Sequence, residues 1–106
     1  ATAVAQNANI RVIVANNQHY GTIRYHQEVH FPTRNHYATN LVNPDFAKYG
    51  ESFGLKCFTI DKIEEISPAI QKAMEVKGPS LIEFKMSLEL NTSTTTISQL
   101  QMNKTK

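Results

Sequence analysis

The chain has 106 residues, 41 % hydrophobic and 19 % charged, with four glycines and four prolines, a composition that excludes a disordered polymer. Its net charge of +2 is mild and its basic residues are scattered, which argues against nucleic-acid binding. No apolar run is long enough to span a membrane. A chain of this size buries only about 60–70 % of the surface its unfolded form exposes, so a single small domain with a thin core is expected. The one cysteine, Cys57, cannot close an internal disulfide, which fits a reducing, cytoplasmic setting.

The opening ATAVAQNANIR is rich in helix-favouring alanine and has no capping residue, so the chain reads as starting inside a helix, with residue 1 a cut. IRVIVA, residues 10–15, is β-branched and almost continuously apolar, which predicts a strand covered on both faces. Residues 21–29 are expected to form a short helix. Residues 30–42, HFPTRNHYATNLV, with Pro32 among them, read as a loop. Asn43 is expected to cap the next helix, with Pro44 at its first position, Asp45 complementing the dipole and Gly54 as the left-handed stop. Phe46, Tyr49, Gly50 and Phe53 share one face of that helix.

A second strand is predicted at 55–60, LKCFTI. Asp61 and Glu64 resemble a capping box, and Ile63, Ile66, Ile70 and Met74 fall at helical spacing through residue 77. Pro68 is expected to kink the early turns. Gly78-Pro79 ends that helix, and SLIEFKM at 80–86 is the third strand. In the Thr- and Ser-rich tail, Ile97 and Leu100 can anchor one short helix. Strands alternating with helices predict a parallel α/β sheet with right-handed crossovers. Three strands suit a fragment of a larger three-layer, doubly wound domain.

Ligands of open α/β sheets sit beyond the carboxyl ends of strands, which is where Asn16-Asn17 falls. An amide oxygen is a hard, neutral ligand for Mg²⁺ or Ca²⁺. Tyr20-Gly21-Thr22-Ile23 follows at a helix start, where free N–H groups and positive potential favour an anion. The competing reading is an Asx turn with no ligand. Neither the dinucleotide glycine fingerprint nor a Walker A loop is present, so a generic dinucleotide binder ranks last. His26 and His30 share a helix face, but Glu28 is misplaced for a zinc-protease motif and no third ligand is evident. Arg34 and His36 read as solvated loop residues, and Cys57 as a small buried hydrophobe. Arg24 pairs either with an anion or with a carboxylate.

The runs NNQHYGTIRYHQE, NPDFAKYGESFG and GPSLIEFKM, in this order and separation, resemble the C-terminal diphosphate-binding domain of thiamine diphosphate-dependent enzymes. The resemblance is to the acetolactate synthase and 2-keto-acid decarboxylase group and covers about residues 1–100. In that family a motif opening GDG and closing NN binds Mg²⁺ through its Asp and its last Asn. The resemblance implies that Asn17 is that Asn and that the His19 carbonyl is a second metal ligand. It also turns the backbone of Tyr20, Gly21, Thr22 and Ile23, with the Thr22 hydroxyl, toward the diphosphate. This sequence departs from the motif because no Asp or Glu precedes Glu28, so the GDG half is expected upstream of residue 1. The family's catalytic glutamate belongs to another domain, usually in a second subunit, so no catalytic residue is assigned here.

Residues 1–90 are then the C-terminal part of the cofactor domain, and 91–106 a tail that either folds over the site or frays. The resemblance implies thiamine diphosphate and Mg²⁺ as cofactors and a 2-keto acid as substrate, with the rest of a longer chain and a second subunit as partners. Nucleic acid and membrane are not expected partners. The isolated fragment is expected to be inactive, to bind cofactor weakly or not at all, and to self-associate through its exposed sheet edge. The alternative is a non-catalytic interaction or regulatory module on the same fold.

Overall fold

The computed structural model describes residues 1–31, 36–90 and 94–102. Pro32 and Arg34, and residues 91–93 of the tail, lie outside the described residues. The chain divides into two compact units, Ala1–Asn16 with Asn43–Lys85, and Asn17–Val42 with Met86–Lys106.

The first unit holds a three-stranded, wholly parallel sheet in the order β1-β3-β2, from β1 (Arg11–Asn16), β2 (Lys56–Ile60) and β3 (Ser80–Lys85). A short helix, α1 (Thr2–Ala5), precedes it, and α3 (Phe46–Ser52) and α4 (Ile66–Glu75) flank it. Side chains alternate along a strand, which assigns the two faces. Ile60 and Ile82 pack with Ala73 of α4, and Phe58, Phe84, Ile66 and Ala69 join them. Leu81 points to the opposite face, where it and Cys57 meet Gly50 of α3. The sheet therefore lies between two helices, the three-layer arrangement expected from the alternating elements.

Several local expectations are corrected. The strand IRVIVA was expected to be covered on both faces. It is instead the edge of the described sheet, with Val12 38 % and Ile13 62 % exposed, and the central strand is β3. Asp45, not Asn43, caps α3, and its carboxylate accepts the Lys48 N–H at 3.0 Å. That hydrogen bond holds the Asp45 carboxyl below its ordinary range. Asn43 is not free to cap because its amide donates to Asn16 Oδ1 at 2.7 Å.

A 3₁₀ turn at Ile63–Glu65 precedes α4 and shifts the reaching acid by one residue. Glu65, not Glu64, accepts the backbone N–H groups of Asp61 and Lys62, at 3.0 and 3.2 Å. Pro68 lies in the first turn of α4, where the missing N–H has no helical acceptor to lose, so it requires no kink. α4 stops at Glu75, short of residue 77. Its C-terminal carbonyls are taken over by Arg11, which donates to Met74 O at 3.2 Å, Val76 O at 2.7 Å and Gly78 O at 2.9 Å. A cation is favourable at that end of a helix, and Gly78 then turns the chain at φ +100°.

The second unit contains α2 (Gly21–His30), an antiparallel bridge between His19 and Asn40, and α5 (Ile97–Met102). α5 packs on α2, and Ile97, an anchor expected from the tail sequence, is buried. Thr96 and Gln99 cap α5 reciprocally: Gln99 Oε1 accepts the Thr96 N–H at 2.8 Å and Thr96 Oγ1 the Gln99 N–H at 3.2 Å. Among the described residues, no helix is long and apolar enough to cross a membrane.

Candidate functional site

β1 ends at Asn16, and the two neighbouring amides have different surroundings. Asn16 is buried, donates from Nδ2 to Glu83 Oε1 at 2.8 Å and accepts from Asn43 at Oδ1. Both ends of its side chain are occupied within the sheet unit, so Asn16 is a structural residue. Its carboxylate partner was not singled out from the sequence. The signal was present, a Glu in the middle of the apolar run SLIEF, and in the structure Glu83 is buried on the central strand.

Asn17 opens the second unit. Gln18 follows in the left-handed region, φ +58°, a conformation that L residues other than Asn, Asp and Gly adopt only when something holds them there. Two backbone hydrogen bonds do so, Leu41 N–H to Gln18 O and Tyr20 N–H to Thr39 O, each at 2.8 Å. Together they bracket His19, whose ring is buried. The Asn17 Nδ2 lies 3.4 Å from His19 Nε2. Burial, followed by the nearby Arg24 guanidinium, holds the His19 pKa below its ordinary value. A hydrogen bond with the Asn17 backbone opposes that shift, and His36 adds a smaller lowering effect.

α2 begins with Tyr20 at the N-cap position, without a side-chain cap and without an acidic residue in its first turn. The Tyr20 N–H is committed to Thr39, which removes it from the set of anion donors. Among the described residues none accepts from the Gly21, Thr22 or Ile23 N–H, and none donates to the His19 carbonyl. Thr22 is exposed. The Gly21, Thr22 and Ile23 N–H groups and the positive end of the α2 dipole thus face no acceptor among the described residues.

Arg24 has a carboxylate partner, resolving the two readings left open. Its Nε donates to Glu28 Oε1 at 2.8 Å, with both side chains buried, and Gln101 of α5 reaches the same oxygen at 3.4 Å. His26 and His30 stack with ring centroids 5.5 Å apart, and no group of three His, Cys, Asp or Glu residues able to hold a metal occurs among the described residues. Cys57 sits half-buried in β2, where burial raises its thiol pKa, the opposite of what a nucleophile needs.

The fit to a Mg²⁺-bound diphosphate can be judged from these donors. The Asn17 amide and an unoccupied carbonyl at His19 are hard oxygen ligands of the kind Mg²⁺ takes. Three free N–H groups beside them suit phosphate oxygens. The residues present fit the group, supplying neutral metal ligands and anion donors but no carboxylate.

A parallel sheet layered between helices is a fold of the open α/β class, whose ligands generally lie beyond the carboxyl ends of the strands. The chain belongs to the family described as thiamine pyrophosphate enzyme, C-terminal TPP binding domain, which residues 1–84 match. It is similar to YdaP of Bacillus subtilis (strain 168), whose name describes it as thiamine pyrophosphate-containing, at 34 % identity over 83 % of this chain and 15 % of that protein. It is similar to the mitochondrial acetolactate synthase catalytic subunit of Saccharomyces cerevisiae, at 29 % identity over 81 % of this chain and 12 % of that protein. The acetolactate synthase large subunit of Pyropia yezoensis is 32 % identical over 74 % of this chain and 13 % of its own length. The chain thus spans a small fraction of the length of the curated relatives it matches.

Proposed function

We propose that this chain is the part of a thiamine diphosphate-dependent enzyme that anchors the cofactor's diphosphate through Mg²⁺, in an acetolactate synthase-like protein acting on 2-keto acids, a reading the similarity to acetolactate synthases supports. One observation carries the reading. Within seven consecutive residues, Asn17 to Ile23, lie an amide, a carbonyl with no described donor and three N–H groups with no described acceptor. Unpaired polar groups are avoided in folded chains unless water or a ligand satisfies them, and this set has the composition a metal diphosphate requires.

The division of labour follows from the chemistry of each group. The Gly21, Thr22 and Ile23 N–H groups bind phosphate oxygens, and Gly21 lets the backbone approach closely. The Thr22 hydroxyl is a fourth donor. Asn17 Oδ1 and the His19 carbonyl take two positions on the metal. They carry no formal charge, so a carboxylate ligand comes from elsewhere in the longer protein, as does the glutamate that activates the cofactor, from a second subunit. When bound, the cofactor supplies the carbon chemistry at the keto group, and this chain supplies position and electrostatics.

The test is to isolate the intact protein from its source, denature it and analyse what is released. Thiamine diphosphate and Mg²⁺ at about one per chain, with a polypeptide several times longer than 106 residues, is the expected result. An intact protein that carries neither cofactor overturns the proposal and leaves Asn16-Asn17 as a turn on a shared fold.

A further inference from the structure

A carboxamide has two ends of nearly equal shape, and only its oxygen ligates Mg²⁺. If Asn17 is a ligand, which is the reading this inference rests on, something must decide which end of its side chain faces the cation. Among the described residues the hydrogen-bond partner of that side chain is the His19 ring, with Nε2 3.4 Å from Nδ2. We propose that the His19 imidazole is a positioning residue for the metal: its Nε2 accepts from the Asn17 amide nitrogen and thereby turns the Asn17 oxygen outward.

The arrangement is built for this. The ring is buried, and the backbone on either side of it is fixed by the Gln18–Leu41 and Tyr20–Thr39 hydrogen bonds. The left-handed turn at Gln18 folds residue 19 back so that its side chain meets that of residue 17. A neutral imidazole has one donor and one acceptor nitrogen. With the proton on Nδ1, Nε2 attracts the amide nitrogen and the oxygen is free. With the proton on Nε2, the ring would instead attract the amide oxygen and present the nitrogen to the cation. At 3.4 Å the contact is long for a hydrogen bond. It therefore biases the orientation of the amide and adds little to the stability of the fold, so its effect belongs in metal affinity.

His19 thus has two separable roles, a carbonyl that any residue would supply and a ring that only an acceptor can replace. The experiment uses the intact protein with thiamine diphosphate and Mn²⁺ as the probe for Mg²⁺, bound metal being read by electron paramagnetic resonance. His19→Phe keeps the carbonyl and the bulk but removes the acceptor, and is expected to weaken Mn²⁺ binding about 10–100-fold, the range for an outer-shell partner. In an Asn17→Asp background both ends of the side chain are oxygens, so His19→Phe should cost nothing further. Independently of any variant, ¹⁵N spectra of the wild-type ring should show Nδ1 protonated and Nε2 bare.

A protonated Nε2, or His19→Phe binding Mn²⁺ as tightly as wild type, overturns the positioning role. The spectra decide the matter if the variant does not fold. Failure of the underlying site reads differently: there the wild type binds no Mn²⁺, or Asn17→Ala binds it as well as wild type does.

Discussion

The sheet unit and the second unit are stabilised by different means. In the sheet unit Ile60, Ala73, Leu81 and Ile82 are buried with Phe58, Ile66 and Phe84 around them. In the second unit, among the described residues, Ile97 is the one buried hydrophobe, whereas His19, Arg24, Glu28 and Thr39 are buried and polar. Apolar burial is forgiving, because it scales with area and has no direction. Buried polar groups depend on particular partners at particular distances, and losing one partner leaves the other desolvated. The candidate site belongs to the second kind of structure. A pocket for a charged diphosphate needs oriented dipoles near the protein interior, which an apolar core cannot provide.

The sharpest way to break this comparison is to remove one member of the buried ion pair. Arg24→Met leaves the Glu28 carboxyl, 4 % exposed, without its guanidinium. Breaking such a pair typically costs about 3–5 kcal/mol. Replacing both residues, as Arg24→Met with Glu28→Leu, is expected to restore most of that loss. Hydrogen exchange of the α2 amides measures both. A single variant as stable as the double would mean that the second unit is not held by its polar pairs.

A smaller effect is expected in the sheet unit from Gly50→Ala. A methyl group there would lie 2.6 Å from Cys57 Sγ and 3.3 Å from a Leu81 methyl. Alanine in a helix interior gains about 1 kcal/mol over glycine, and overpacking costs about 1–3 kcal/mol. The clash with the thiol at 2.6 Å outweighs the gain, so a net loss of up to about 2 kcal/mol is expected in denaturant unfolding. Cys57→Ala in the same chain should recover part of it, because the thiol is the nearest obstacle. An unchanged midpoint would show that the helix shifts freely on the sheet, contrary to a close-packed core.

The same contrast explains what could be read from the sequence. Period-2 and period-3.6 patterns report apolar burial, and they located every strand and helix of the sheet unit to within a few residues. They failed at Asn43, Glu64 and IRVIVA. The first two errors concern which of several adjacent polar residues takes a backbone N–H, a choice made by tertiary contacts such as Asn43 with Asn16. The third concerns strand order, because apolar content alone does not distinguish a central strand from an edge. At the site, the helix start and the Asn17 amide were legible as residue types. The loss of the Tyr20 N–H to Thr39, the Glu83–Asn16–Asn43 chain and the meeting of His19 with Asn17 were not. Each depends on a contact that no local spacing encodes.

The mildest perturbation is acid, and it tests the two units side by side because each has one carboxylate at a helix start with a lowered pKa. Asp45 accepts the Lys48 N–H of α3, and Glu89 accepts the Ser98 hydroxyl and N–H at 2.6 and 3.1 Å. The Ser98 hydrogen bonds are the main cause of the Glu89 shift. A carboxyl whose pKa is lower in the folded chain contributes stability that is present above its unfolded value and is lost as pH falls through the folded value. For Glu89 the unfolded value is near 4.5, so its own contribution should hold constant between pH 7 and that point. Below it, the Ser98 amide should lose protection as Glu89 takes up a proton. Lys48 should lose less, because α3 is also held by Gly50 against Leu81 and Cys57, whereas among the described residues Ile97 is the one buried residue of α5. Glu89→Gln should abolish the pH dependence at Ser98 and leave Lys48 unchanged. Equal loss at both helices would mean that the second unit is as well packed as the sheet, and that its polar interior is not what makes it sensitive.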